Sequence, residues 1–293
     1  MRTRFLIDGD VVAFIAASAV QKNVQDENGM FTSWADPTEG EIAAERLLEK
    51  AFAVNPTAGQ HGSRAYDVFL SDAWNWRLDV DPSYKSNRKN SVRPMLLDHL
   101  KEYLRTKHGA KSLPTLEADD AIGIAATAPN PEGEDRIIVG RDKDFASIPG
   151  RHYQYDDPKY HGPNGKPLVR EITTAEADRN HMIQTLSGDL VDGYGGCPGI
   201  GKTRAERIVT ERQKLVPVKG IITRGINKGR ECTKWVPEPT DDIWECIVSH
   251  YEKAGLGEME ALITARLARI LRYGEYDRHT EKVTLWLPAR STE

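Results

Sequence analysis

Three short apolar runs that give out at aspartates constrain this chain more than anything else in it. Phe5 to Ile7 stop at Asp8, Tyr66 to Leu70 run into Asp72, and Arg136 to Val139 lead to Asp142, with Asp144 two residues on. Short apolar runs bounded by turn-forming residues read as strands buried on both faces. Between them lie stretches with helical periodicity: Thr38 to Val54, Ser91 to Gly109 and, after Pro114, Leu116 to Thr127. Strands alternating with helices predict an α/β fold, a Rossmann-like, mostly parallel sheet flanked by helices on both faces. In such a sheet functional groups gather beyond the carboxyl ends of the strands. An aspartate after one strand is most simply a turn former or helix cap. Three at equivalent ends point to a shared task.

Further carboxylates fall in two short clusters. LEADD places Glu117 and Asp120 three apart on one helical face, with Asp119 adjacent; alone it reads as a helix start favoured by the dipole. GDLVD adds Asp189 and Asp192. The nine candidates are then Asp8, Asp72, Glu117, Asp119, Asp120, Asp142, Asp144, Asp189 and Asp192. So many acids in one crevice repel each other unless divalent cations lie between them. Oxygen donors without matching cysteine or histidine select hard ions, Mg²⁺ or Mn²⁺. The chemistry that needs two such ions, roughly 4 Å apart, is attack of water on a phosphodiester. Asp10 is left out of the set, as it is expected to point away from Asp8.

GGCPGIGKT, Gly195 to Thr203, fits the phosphate-loop pattern from Gly196. A P-loop needs a buried strand before its glycines, and LSGDLVDGYG is not one. The stretch reads instead as a glycine turn entering a helix, with Lys202 and Arg204 beside it, suited to a nucleic-acid phosphate. No nucleotide cofactor is expected. In SYKSNRK, Lys85 and Arg88 suit charge gathering on a phosphate, with Lys89 alongside, although the same residues alone read as a solvated basic loop. Tyr84 is a candidate to stack on a terminal base. Trp74 and Trp76 are expected in the core.

The 293 residues carry 40 basic and 44 acidic groups, a net charge of −4. With the nine candidate acids neutralised by cations, 35 acids face 40 bases, so the acidic total is compatible with a DNA partner. Three cysteines, Cys197, Cys232 and Cys246, are far apart and read as free thiols. Asp8 and Asp10 interrupt the apolar N-terminus, so no signal peptide or membrane span is expected, and the location expected is cytoplasmic. An α/β domain is expected over residues 1–175 and a helical region over 176–293. Residues 21–37 read as an excursion or a hairpin, and a further hairpin is expected near Asn164. Residues 216–236 contain an NKG turn and read equally as a basic β-ribbon or an ordinary solvated hairpin. Two closing helices are expected near 241–254 and 258–273.

The order IDGD, LSDAW, SYKSNRK, LEADD, GRDKDF and SGDLVDG followed by GIGKT resembles the 5'-nuclease family of flap endonucleases and 5'→3' exonucleases, over about residues 4 to 212. DPSYKSNRK, GDLVDGYGG, TKWV and ARILRYGEY extend the similarity toward the exonucleases of short-tailed phages. The resemblance implies a PIN-like α/β domain and a helix–three-residue-turn–helix unit, about 188–212, that grips duplex DNA. It implies that the nine acids hold two or more metal ions and that Lys85 and Arg88 contact the scissile phosphate. Gly199, Gly201 and Lys202 would bind the uncleaved strand, often with a potassium ion. The implied activity is 5'→3' exonuclease with flap endonuclease and RNase H-like activity. Implied substrates are duplex DNA with 5' ends, nicks or flaps and RNA/DNA hybrids, in the setting of phage replication. Gly193 departs from the family, where many members carry asparagine.

Overall fold

The computed structural model describes residues 2–25, 27–54, 65–162 and 164–289. Strand β1 (Thr3–Asp8) passes directly into helix α1 (Gly9–Val20), followed by a hairpin of β2 (Lys22–Gln25) and β3 (Phe31–Trp34). Helix α2 (Pro37–Ala51) has Asp36 as its cap and proline in its first turn, and is followed by β4 (Ala65–Phe69). A single turn α3 (Arg77–Val80) and a 3₁₀ turn (Ser86–Asn90) precede α4 (Leu97–His108), which ends on a left-handed glycine, Gly109. Then come α5 (Ala118–Thr127), β5 (Asp135–Val139), β6 (Gly150–Tyr153) and β7 (Arg170–Ile172).

The remaining elements begin with α6 (Thr174–Ser187) and a tight hairpin of β8 (Gly188–Asp189) and β9 (Tyr194–Gly195). They continue with α7 (Lys202–Glu211), β10 (Gln213–Ile221) and β11 (Glu231–Pro239). Helices α8 (Ile243–Lys253) and α9 (Glu258–Ala268) and a small pair, β12 (Tyr276–Asp277) and β13 (Lys282–Val283), close the chain. Near Asn164 the expected hairpin is a single bridge, His161 to Pro167; Pro163 lies outside the described residues.

The chain forms two interleaved units instead of two consecutive ones. The first comprises Met1–Trp76, Asn90–Ala177 and Ile270–Thr284; the second comprises Arg77–Lys89, Asp178–Arg269 and Leu285–Glu293. The expected division at residue 175 therefore misses two exchanges of chain.

In the first unit the sheet runs β4-β1-β5-β6-β7, parallel except for β7. Its two faces follow from alternation along β1. Phe5 and Ile7 pack into a cluster with residues of α1, α2 and α4, whereas Leu6 packs with Ile122 and Ala121 of α5 on the other side. Gly9 is required where α1 starts: a β-carbon there would lie 2.8 Å from the carbonyl oxygen of Phe69. The chain leaves β1 toward β4 on one side and later enters β5 on the other, so the carboxyl end of β1 is the topological switch point of the sheet. Asp8 stands at that end.

In the second unit, α6, α7, α8 and α9 share a core that includes Leu186, Ile208, Ile247 and Ala265. Helix α9 ends at Ala268, five residues short of the expected boundary, because Arg269 turns extended. From Ile270 the chain belongs to the first unit, where Leu271 donates its backbone N–H to Asp120.

Candidate functional site

In the first unit, Asp8 is both the last residue of β1 and the N-cap of α1, accepting a hydrogen bond from the N–H of Val11 at 3.0 Å. The capping role does not exclude ligation, since a carboxylate has about four acceptor sites. Asp8 is buried, and that burial, followed by the charges of Asp10 and then Asp142, pushes its carboxyl up to about 7. Asp10 is thus a neighbour of Asp8. The expectation that it faces away fails: residues two apart in an extended chain share a face, and here the strand in any case stops at Asp8, with residue 10 in the first helical turn. Asp10 accepts from the N–H of Ser71 at 3.0 Å and lies 2.7 Å from the ammonium of Lys101. It ties α1 to the end of β4 and to α4. The signal available in the sequence was the apolar run Val11 to Val20, which has no period of two.

Asp72 and Asp142 follow β4 and β5, and both are exposed. Asp72 accepts from the N–H of Thr115 at 2.8 Å, and Asp142 caps the 3₁₀ turn Lys143–Ser147 by accepting from the N–H of Asp144. Glu117 is the N-cap residue of α5 and makes no side-chain cap bond; Asp119 and Asp144 are partly buried.

Asp120 is the most enclosed of these acids in the first unit. It is 0 % exposed, and its two oxygens accept from the indole N–H of Trp76 at 2.9 Å and from the N–H of Leu271 at 3.1 Å. The turn of α5 that leaves Asp119 partly open buries Asp120, and these two bonds make it a packing carboxylate of the first unit. Trp76 is buried as expected, whereas Trp74 is 53 % exposed in the bend beyond Asp72, where no layer covers it.

The second unit brings Asp192 together with Lys85 and Arg88. Arg88 forms an ion pair with Asp192, and the Lys85 ammonium lies 3.5 Å from it. Lys85 has a left-handed backbone, φ 55°, and its N–H donates to the carbonyl of Asp192 at 2.9 Å. Strain of this kind persists only where surrounding structure imposes it. Asn87, absent from the expected set, donates to the carbonyls of Leu190 at 2.9 Å and Val191 at 3.2 Å, fixing the turn between Asp189 and Asp192. Asp189 is buried and accepts from the N–H of Val191. Gly193 has φ 79°, and a β-carbon there would lie 3.0 Å from Asn87 Oδ1. Asn87 therefore occupies the space beside residue 193. Gly193→Ala is expected to cost about 1–2 kcal/mol in thermal unfolding, since its β-carbon crowds Asn87 at a left-handed φ; an unchanged Tm would refute the fit.

Tyr84 also departs from expectation. Its ring is 5 % exposed, stacks on Tyr194 at 6.1 Å, and its hydroxyl donates to Asp192 at 3.0 Å. A base has no access to it. The side chain of Lys89 lies outside the described residues.

No first helix forms over residues 188–195; the two strands of a tight hairpin stand there, directly after α6. Gly188 and Gly196 let its backbones close, since a β-carbon on Gly188 would lie 2.2 Å from the N–H of Gly196. Cys197 to Ile200 then make a turn closed by the N–H of Ile200 donating to Cys197, with proline second and Gly199 third at φ 75°, the arrangement of a type II turn. Gly201 caps α7 without a side-chain bond, and Lys202 opens the helix, exposed. Arg204 donates back to the carbonyl of Gly199 at 3.2 Å. A P-loop would need a buried strand of the main sheet before this turn, and α6 with a two-residue strand precedes it instead.

Among the described residues no three acidic, histidine or cysteine side chains converge closely enough to cage a metal. The all-oxygen donor set and the destabilised Asp8 anion both favour a divalent cation.

No protein-family model matches the chain. It is 34% identical over 291 residues to the exodeoxyribonuclease of Enterobacteria phage T3, covering 97% of this chain and 92% of that protein. To the exonuclease of Escherichia phage T7 it is 34% identical over 293 residues, covering 97% and 93%. The solved structure of the T5 D15 protein co-crystallized with metal ions shares the fold, with a TM-score of 0.52 at 15% identity over 91% of this chain and 89% of that one.

Proposed function

Because this chain belongs to the 5'-nuclease family that includes the T3 and T7 phage exonucleases, we propose that it is a divalent-metal-dependent 5'→3' exonuclease acting on duplex DNA. The observation that carries the reading is Asp8. It is a buried carboxylate at the switch point of a parallel sheet, disfavoured as an anion by burial and by Asp10 and Asp142. Asp8, Asp72, Glu117, Asp119, Asp142 and Asp144 in the first unit, and Asp189 and Asp192 in the second, are the residues to hold the ions, with Mg²⁺ or Mn²⁺ favoured by their oxygen donors. Such ions supply Lewis-acid activation of water and of the leaving oxygen. Lys85 and Arg88, oriented by Asp192, place positive charge for the phosphate, whose negative charge grows in the transition state. The products are then 5'-phosphorylated. Cleavage at flaps and of RNA in RNA/DNA hybrids, K⁺ at the glycine turn, replication proteins as partners and the host cytoplasm as location belong to the same proposal.

Turnover on duplex DNA should vanish in EDTA and return with Mg²⁺ or Mn²⁺; undiminished hydrolysis in chelator would overturn the reading. The glycine turn before α7 offers backbone N–H groups and Lys202 to a strand phosphate. Lys202→Ala should therefore weaken duplex binding and lower the slope of log affinity against log salt by about 1. An unchanged slope would remove Lys202 from the interface.

A further inference from the structure

We infer that the tip of the β10–β11 ribbon is a separate duplex-DNA contact, with Arg224, Lys228 and Arg230 on backbone phosphates and Ile226 against a base step in the minor groove. The inference rests on the proposed DNA substrate and adds a second point of attachment. The two strands pair over nine residues each, from Gln213 opposite Pro239 to Ile221 opposite Glu231. Past them the tip is ordered by its own hydrogen bonds. Ile222 donates to the carbonyl of Arg230 and Gly229 to that of Ile222, both at 2.9 Å, and Lys228 donates to Gly225 at 3.1 Å. Gly225 and Gly229 supply the positive φ angles, 81° and 90°.

Ile226 is therefore the second residue of a tight turn, and it is 100 % exposed. Turn corners favour proline, aspartate, asparagine or serine for local reasons, and an isoleucine gives none of those advantages. Around it stand Arg224, Lys228 and Arg230, all exposed. Residues 213–239 hold six basic and two acidic side chains, a net charge of +4 in a chain whose total is −4. The remaining residues together carry −8. Positive charge is thus concentrated on one ribbon, with an exposed apolar residue at its tip. Proteins that enter the minor groove combine these features: cations for phosphates and a small apolar wedge for a base step.

The test is equilibrium binding of the full chain to an A·T-rich duplex of about 30 base pairs under conditions that leave the DNA intact, as a function of salt and of a minor-groove ligand such as netropsin. Replacing Arg224, Lys228 and Arg230 by alanine should lower the salt slope by about 2 to 3. Ile226→Ala should weaken binding on the order of tenfold with the slope unchanged, as expected for an apolar contact. Netropsin should weaken the wild-type protein and leave Ile226→Ala little affected. Wild-type affinity and slope in both variants would overturn the inference, as would equal sensitivity to netropsin. If the wild-type protein degrades duplex DNA from its 5' ends while the variants bind normally, only the ribbon assignment falls. If it neither binds nor degrades duplex DNA, the proposed function falls with it.

Discussion

Asp8→Asn is expected to lower turnover by about 10³-fold or more and, in the same protein, to stabilise the metal-free fold at neutral pH. The first effect follows from losing a charged oxygen donor where metal-derived stabilisation amounts to several kcal/mol. The second follows from proton linkage. The Asp8 carboxyl is raised from an ordinary 3.8 to about 7 in the fold. A folded pKa above the unfolded one means that the contribution to stability is complete below about pH 4 and is lost as the pH climbs to about 7. The loss is about 1.4 kcal/mol for each pH unit in that window. Asparagine is neutral throughout and avoids it, so in EDTA at pH 8 the variant should be more stable by a few kcal/mol. Urea unfolding in EDTA between pH 4 and 8, paired with turnover in Mg²⁺, checks both effects. Normal turnover, or a wild-type pH profile of stability in the variant, would contradict the role given to Asp8.

Arg77→Ala should cost about 3 kcal/mol of stability through the second unit. The Arg77 side chain is 2 % exposed, and its guanidinium donates to the carbonyls of Leu267 at 3.0 Å and Arg269 at 2.6 Å. These carbonyls lie at the end of α9, where the helix dipole is negative and the last carbonyls lack helical partners. Removing the guanidinium leaves them buried and unpaired and opens a cavity beneath the Tyr84 ring, 5.7 Å away. Arg77→Lys should recover only part of the loss, because one ammonium cannot reproduce the planar fork. Thermal unfolding followed by hydrogen exchange in α9 measures it; an unchanged Tm with full protection of α9 would show that the carbonyls do not depend on Arg77.

The sheet was legible because its information is local. The strands β1, β4 and β5 announce themselves by short apolar runs, and the aspartates at their ends fall where chain direction alone puts them, whereas the fourth parallel strand, β6, has the polar sequence GRHY and gives no such signal. What was illegible depends on partners distant in sequence. Asp119 and Asp120 are adjacent acids of one helix, and only the packing of Trp76 and Leu271 decides which is buried. Trp74 and Trp76 are two residues apart and differ for the same reason. Tyr84 is enclosed by Tyr194, more than a hundred residues on. The end of α9 is set by Arg77, and the return of residues 270–284 to the first unit follows from contacts that no periodicity records.

The central claim is tested most directly with purified protein and duplex DNA labelled separately at its 5' and 3' ends, incubated in Mg²⁺, in EDTA, and in Mg²⁺ with ATP. The account predicts metal-dependent release of short products from the 5' label at a rate indifferent to ATP. Intact DNA in every lane with ATP consumed, or release that begins at the 3' label, would contradict it.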